Sequence, residues 1–225
     1  MLLAADDGDD GRCDAEVMGR SVAHALGWWL LGAALGLLLG GATSFAQQYL
    51  PDALRSFANS NSGWTLLAFA VVAASTRRRS ARRWWIAAGL GLVVFHALLQ
   101  GYALVSTLRG FPDSYGPGDF YFLVATPAGP VLGVAGLAWH SASGIRRAAG
   151  VAVLAAVMVG DGIWGLSRVV ETTGWLYWAL SILIGVAVLA CVALRRLDRL
   201  RDRVVAVVLS ALGAAVYALL FAAVL

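Results

Sequence analysis

Asp161 stands between Gly160 and Gly162 inside an apolar run, and Arg168 follows seven residues later. A carboxylate at membrane depth costs about 2.5–3.5 kcal/mol on insertion scales, so it needs a partner and marks a candidate binding site. Seven residues is close to two helical turns, which puts Arg168 on nearly the same face as the expected counter-ion. His96 lies midway along another apolar run, with Gln100 and Thr107 following on its face. That pattern suits either an interhelical hydrogen bond or the polar floor of a pocket. A third polar string runs from Gln47-Gln48-Tyr49-Leu50-Pro51 to Asn59-Ser60-Asn61-Ser62-Gly63-Trp64. Irregular polar backbone at membrane depth persists when it is buried in protein or lines a wet cavity. Gln47, Asn59, Asn61 and Trp64 are therefore the expected pocket wall, Asp161 with Arg168 its charged pair, and His96 with Gln100 its floor.

Other chemistries lack their signatures. The chain has no GxSxG, HExxH, P-loop or dinucleotide fingerprint, so no catalytic residue is assigned. His24, His96 and His140 fall at different depths, and Cys13 and Cys191 have no CxxC spacing. Neither a metal site nor a cofactor is expected. An enzyme using Asp161 and His96 would have no motif behind it.

The elements that must position these residues are membrane spans. Of the 225 residues, 60% are apolar and 13% charged, and the mean hydropathy is +0.76. A soluble domain is roughly 45–50% apolar and about 25% charged, so lipid must be part of this chain's solvent. The net charge of +4 does not point to nucleic acid, because the basic residues, all arginine, sit in short blocks between apolar runs. About 20 apolar residues cross the hydrocarbon as a helix. Six runs qualify: Val22–Phe45, Trp84–Leu108, Phe120–Trp139, Ala148–Leu166, Gly174–Leu194 and Val204–Leu225. A seventh around Phe57–Ser75 is short and must include the Asn59–Ser62 string in its outer third. The expected fold is thus an all-α polytopic bundle of about seven spans.

Seven spans divide the arginines unequally: the N-terminal tail, 76–83, 141–147 and 195–203 hold 14, against three (Arg55, Arg109, Arg168) on the other side. The positive-inside rule then puts the N-terminus in the cytoplasm and the C-terminus outside. Residues 1–20, rich in aspartate, read as a disordered acidic cytoplasmic tail, with Met18 an alternative start to Met1; residues 21–225 read as one transmembrane domain. The Trp28-Trp29 and Trp84-Trp85 pairs, with Trp175 and Trp178, read as interfacial anchors.

Two further features bear on packing. Gly32, Gly36 and Gly40 repeat every four residues, a face that lets a second helix approach closely, whether from this chain or from a partner subunit. Pro127 and Pro130 fall near the middle of the fourth span and are expected to kink it, as in the broken helices of transporters.

The stretch Gly40-Gly41-Ala42-Thr43-Ser44-Phe45 through Gln48-Tyr49-Leu50-Pro51, then Ala58-Asn59-Ser60 and Trp64–Phe69, resembles an uncharacterised actinobacterial family of polytopic membrane proteins of unknown function. Gly129-Pro130-Val131-Leu132-Gly133 and Gly160-Asp161-Gly162 fit the same resemblance, which implies a bacterial plasma-membrane location. A looser similarity is to the substrate-binding S components of energy-coupling-factor transporters, and implies ligand capture near the outer face with small residues on the first helix docking a partner subunit.

Two readings of function follow. In the first, the chain binds or transports a small polar or anionic molecule through an outward-facing pocket where several helix N-termini converge. In the second it is a non-transporting assembly or accessory protein whose glycine face and polar caps merely pack.

Overall fold

The computed structural model describes residues 10–224. Seven helices of fifteen residues or more form the bundle: α1 (Asp10–Tyr49), α2 (Asn61–Ser75), α3 (Trp84–Leu108), α4 (Phe120–Ala138), α5 (Gly144–Arg168), α6 (Leu176–Arg196) and α7 (Leu200–Val224). All except α2 are long and apolar enough to cross a membrane. Short helical turns occupy Asp52–Arg55, Ser56–Asn59, Arg79–Ala81 and Val170–Thr173, and no strand occurs among the described residues. Of the tail expected to be unstructured, residues 1–9 and Leu225 at the far end lie outside the described residues; from Asp10 onward the backbone belongs to α1.

Consecutive helices alternate in direction, so the loops sort into two ends. At one end Trp28 donates to Ser80 Oγ (3.0 Å), a His140 ring nitrogen pairs with the Ala73 carbonyl (2.7 Å), and Arg196 donates to the Trp139 carbonyl (3.0 Å). The arginine-rich loops 76–83, 141–147 and 195–203 gather there. At the other end Ser44 meets Ser106 (2.8 Å) and Ser60 meets Tyr177 (2.6 Å). The charge asymmetry of the sequence is thus an asymmetry between the two ends of one bundle.

Packing follows two spines. α3 is flanked by α1 and α4, and α5 by α6 and α7, while α2 is wedged between α3, α4 and α5. The glycine face of α1 is the reason for the first contact. A Cβ on Gly40 would lie 2.1 Å from the Leu98 carbonyl oxygen of α3, and one on Gly101 would lie 2.2 Å from that of Leu37. Gly32 and Gly36 meet Leu90 and Ala97 of the same helix. Of the two partners left open for this face, the internal one fills it: α3 of the same chain covers Gly32, Gly36 and Gly40. α4 continues through Pro127 and Pro130 as one helix rather than two half-helices.

α2 is the exception that shapes one end. Fifteen residues rise about 22 Å, short of the roughly 30 Å of hydrocarbon. Its apolar part, with Ala68 and Val72 fully buried, reaches the arginine-rich end. The deficit falls wholly at the arginine-poor end, where Pro51–Ser60 folds back as turns instead of helix.

The α1–α3 contact generates a test. Gly36→Leu places atoms where a Cβ alone would be 2.8 Å from the Val94 carbonyl oxygen, and overpacking of that kind costs about 1–3 kcal/mol or more. Leu38, on the same helix but 70% exposed, should tolerate alanine with a change below about 0.5 kcal/mol. Melting of the detergent-solubilised variants decides it, and equal tolerance would mean that α1 does not seat on α3 by this face.

Candidate functional site

The site begins with the blunt end of α2. Ser60 has extended backbone (φ −128°, ψ 154°) and its hydroxyl accepts from the Gly63 amide at 3.1 Å, an N-cap. The Trp64 amide bonds the Ser60 carbonyl (3.1 Å) and its indole N–H bonds the Ala58 carbonyl (2.9 Å), which ties the preceding turn onto the helix. The Ser62 amide is satisfied from outside the segment: it donates to Asp161 Oδ2 of α5 at 2.8 Å.

Asp161 is 1% exposed and collects donors from two other helices. The Ser62 hydroxyl donates to Oδ2 (2.6 Å) and the Tyr217 phenol of α7 to Oδ1 (2.8 Å). The donors line up in one direction. Asn61 Nδ2 donates to the Tyr217 oxygen (2.7 Å), and Ser60, Tyr177 and Ser62 form a hydroxyl chain (2.6 and 2.7 Å) that ends on the carboxylate. The Ser62 amide can only donate, so Oδ2 is an acceptor whichever way the hydroxyl hydrogens point. The positive end of the α2 dipole supplies about half a charge of compensation. No arginine lies within ion-pair distance of Asp161 among the described residues, where the ion pairs are Asp52–Arg55 and Arg201–Asp202.

Gly160 and Gly162 explain how three helices meet at this point. A Cβ on Gly160 would sit 2.9 Å from Tyr217 Cβ, and one on Gly162 would sit 2.7 Å from the Trp178 carbonyl oxygen. Bulkier neighbours would push α7 and α6, with their tyrosines, away from the carboxylate.

Above Asp161, at the arginine-poor end, lies a cavity of about 690 Å³. Gln47, Asn59, Asn61, Trp64 and Asp161, all expected at a pocket, line it together. Tyr115, Tyr121, Trp164 and Trp178 add aromatic walls, and the segment after α5 closes one side through Thr172 and Thr173. Gln47 accepts from the Tyr102 phenol, which packs 5.4 Å from Trp64 between ring centroids. Burial, with the Asp113 carboxylate next in effect, pushes the Tyr115 phenol above the ordinary tyrosine value, so it stays neutral. Among the described residues no cluster of three metal-ligating side chains occurs.

Three expected residues stand elsewhere. Arg168 is exposed and reaches the Ala222 carbonyl (3.5 Å) rather than Asp161. Two turns put it about 10 Å further along the axis, and the carboxylate already has donors closer at hand. His96 pairs with Thr126 Oγ1 (3.2 Å) and packs on Phe122, outside the cavity. Gln100 is exposed and donates to the Tyr115 carbonyl (2.7 Å), so it supports the loop carrying a wall residue and forms no floor. Neither Pro127 nor Pro130 borders the cavity. Tyr177 and Tyr217 were not singled out from the sequence, although each phenol in an apolar span needs a buried partner.

Six long apolar helices with a cavity of mixed polar and aromatic lining at one end define a multi-pass membrane protein of the all-α class. The chain belongs to a family of unknown function, DUF6518, whose model matches residues 19–225. No curated protein and no solved structure matches it.

The Asp161 network predicts strong coupling across helices. Asp161→Leu strands the Ser62 amide and the Tyr217 phenol and should cost about 3 kcal/mol. Ser62→Ala alone should cost about 2 kcal/mol, a typical value for a bond to a charged group. The double substitution should fall short of the sum by about 1 kcal/mol or more, whereas Arg168→Ala should add independently. Denaturation of the purified variants measures all four; a stabilised Asp161→Leu protein would contradict the network.

Proposed function

We propose that this protein binds a small polar molecule in the cavity at its arginine-poor end, and that this end faces the outside of a bacterial plasma membrane. The transmembrane domain is taken as residues 21–225, with the N-terminus in the cytoplasm. Fourteen arginines against three support that orientation.

One observation carries the reading. Side chains from α1, α2, α4, α5 and α6 converge on one space of about 690 Å³ around a buried carboxylate, within the 300–1,000 Å³ usual for ligand sites. Asp161 itself is enclosed, at 1% exposure, at the edge of this space. Here the short α2 leaves room that water or a ligand must fill. Of the polar or anionic ligand expected from converging helix ends, the anionic half has less support, because the Ser62 amide at the start of α2 is already taken by Asp161.

Ligand-dependent stabilisation tests the reading. Bound ligand at a hundredfold excess over Kd adds about 2.7 kcal/mol to the folded state. The detergent-solubilised protein, melted against a panel of cationic, neutral and anionic metabolites, should show a saturable rise in Tm with at least one class. Asn59→Leu at the cavity wall should blunt the rise without lowering the ligand-free Tm. A flat response across all three classes would overturn the binding reading.

A further inference from the structure

We infer that the ligand is a small organic cation, an amine or quaternary ammonium held between Asp161 and the aromatic walls. This rests on the binding reading above and narrows it to a chemical class. Three charged side chains border the cavity. Asp52 and Arg55 pair with each other, with side chains 88% and 50% exposed, and so cancel in solvent at its mouth. Asp161 remains, buried and without a cation among the described residues.

A cap for α2 does not call for that charge. The Ser62 amide needs one acceptor, and asparagine, serine or threonine can supply one at a helix start. A full carboxylate removed from water is costly unless a positive group compensates it. The α2 dipole offsets about half a unit, which leaves a net negative potential at the cavity base. Asp161 Oδ1 accepts from Tyr217, and the Asn61 amide also lies within reach of the carboxylate.

The walls fit the same class. Trp64, Tyr115, Tyr121, Trp164 and Trp178 come from four helices and a loop onto one cavity. Aromatic faces attract cations through the ring quadrupole, most strongly where water is excluded. The start of α2 offers an anion nothing, because the Gly63 and Trp64 amides are occupied by Ser60 and that of Ser62 by Asp161; the Trp164 indole N–H is the unpartnered donor at the wall.

The experiment uses purified full-length protein in detergent and three matched pairs of probes. These are choline with 3,3-dimethylbutan-1-ol, phenethylamine with 2-phenylethanol, and putrescine with 1,4-butanediol, with sodium chloride balancing ionic strength. Thermal unfolding and tryptophan fluorescence should show saturable binding of at least one cation, at least tenfold tighter than its neutral partner. Asp161→Asn should remove that preference. Should Asp161→Asn fail to fold, Tyr121→Leu serves instead: Tyr121 is 40% exposed, and its loss should weaken the cation severalfold while leaving the fold intact. Equal binding of a cation and its neutral partner overturns the cation inference but leaves the binding site standing. No response to any cation, with a response to anionic metabolites, does the same. Silence from every class removes both readings.

Discussion

A peptide group at membrane depth must find its hydrogen bonds inside the protein, and the structure answers that demand at the start of α2. The helix is too short to carry its own backbone to the surface. Its first amides therefore depend on Ser60 within the segment and on Asp161 from α5. Once a carboxylate is committed there, the rest of the arrangement follows from the need to hold it. Tyr217 must come from α7 and Tyr177 from α6, Asn61 and Ser62 must face inward, and residues 160 and 162 must be small enough for both helices to close in.

The two spines of the bundle make this possible. α1, α3 and α4 pack as one set and α5, α6 and α7 as another; α4 touches α5 directly, and α2 packs against both sets. The cavity opens where α2 is missing its outer turns. Its walls draw on both sets: Gln47 and Tyr121 from one, Trp164 and Trp178 from the other. A ligand seated there would touch both sets at once, so its binding energy would act on their relative position.

Much of this was legible in the sequence. Hydropathy and the arginine blocks give the helices and their alternation, because lipid imposes both on composition. The polar string at 59–62 and the lone Asp161 stood out because each breaks the rule around it, and they lie together at one cavity. The partner of Asp161 was not legible. Arg168 shares its helix face, but the carboxylate is satisfied across helices by Ser62 and Tyr217, and such pairings depend on interhelical distance rather than spacing along the chain. His96 fails for a related reason: its Nε2 pairs with Thr126 of the adjacent α4, away from the cavity lining, while its Nδ1 is buried without a partner. The glycine repeat announced a close helix contact without saying with which helix, since close approach reads the same for internal and external partners.

With a cavity at the blunt end of α2, water should reach the start of that helix from the arginine-poor end. Cysteine accessibility in intact cells measures this most directly, in a background lacking Cys13 and Cys191. Asn61→Cys borders the cavity and should react with a membrane-impermeant maleimide added outside. Ala70→Cys, exposed on the same helix but outside the cavity lining, should not react, and Arg79→Cys should react only after permeabilisation. An Asn61→Cys protein that folds yet stays unreactive from outside, or that labels only together with Arg79→Cys, would contradict an outward cavity built on the short helix.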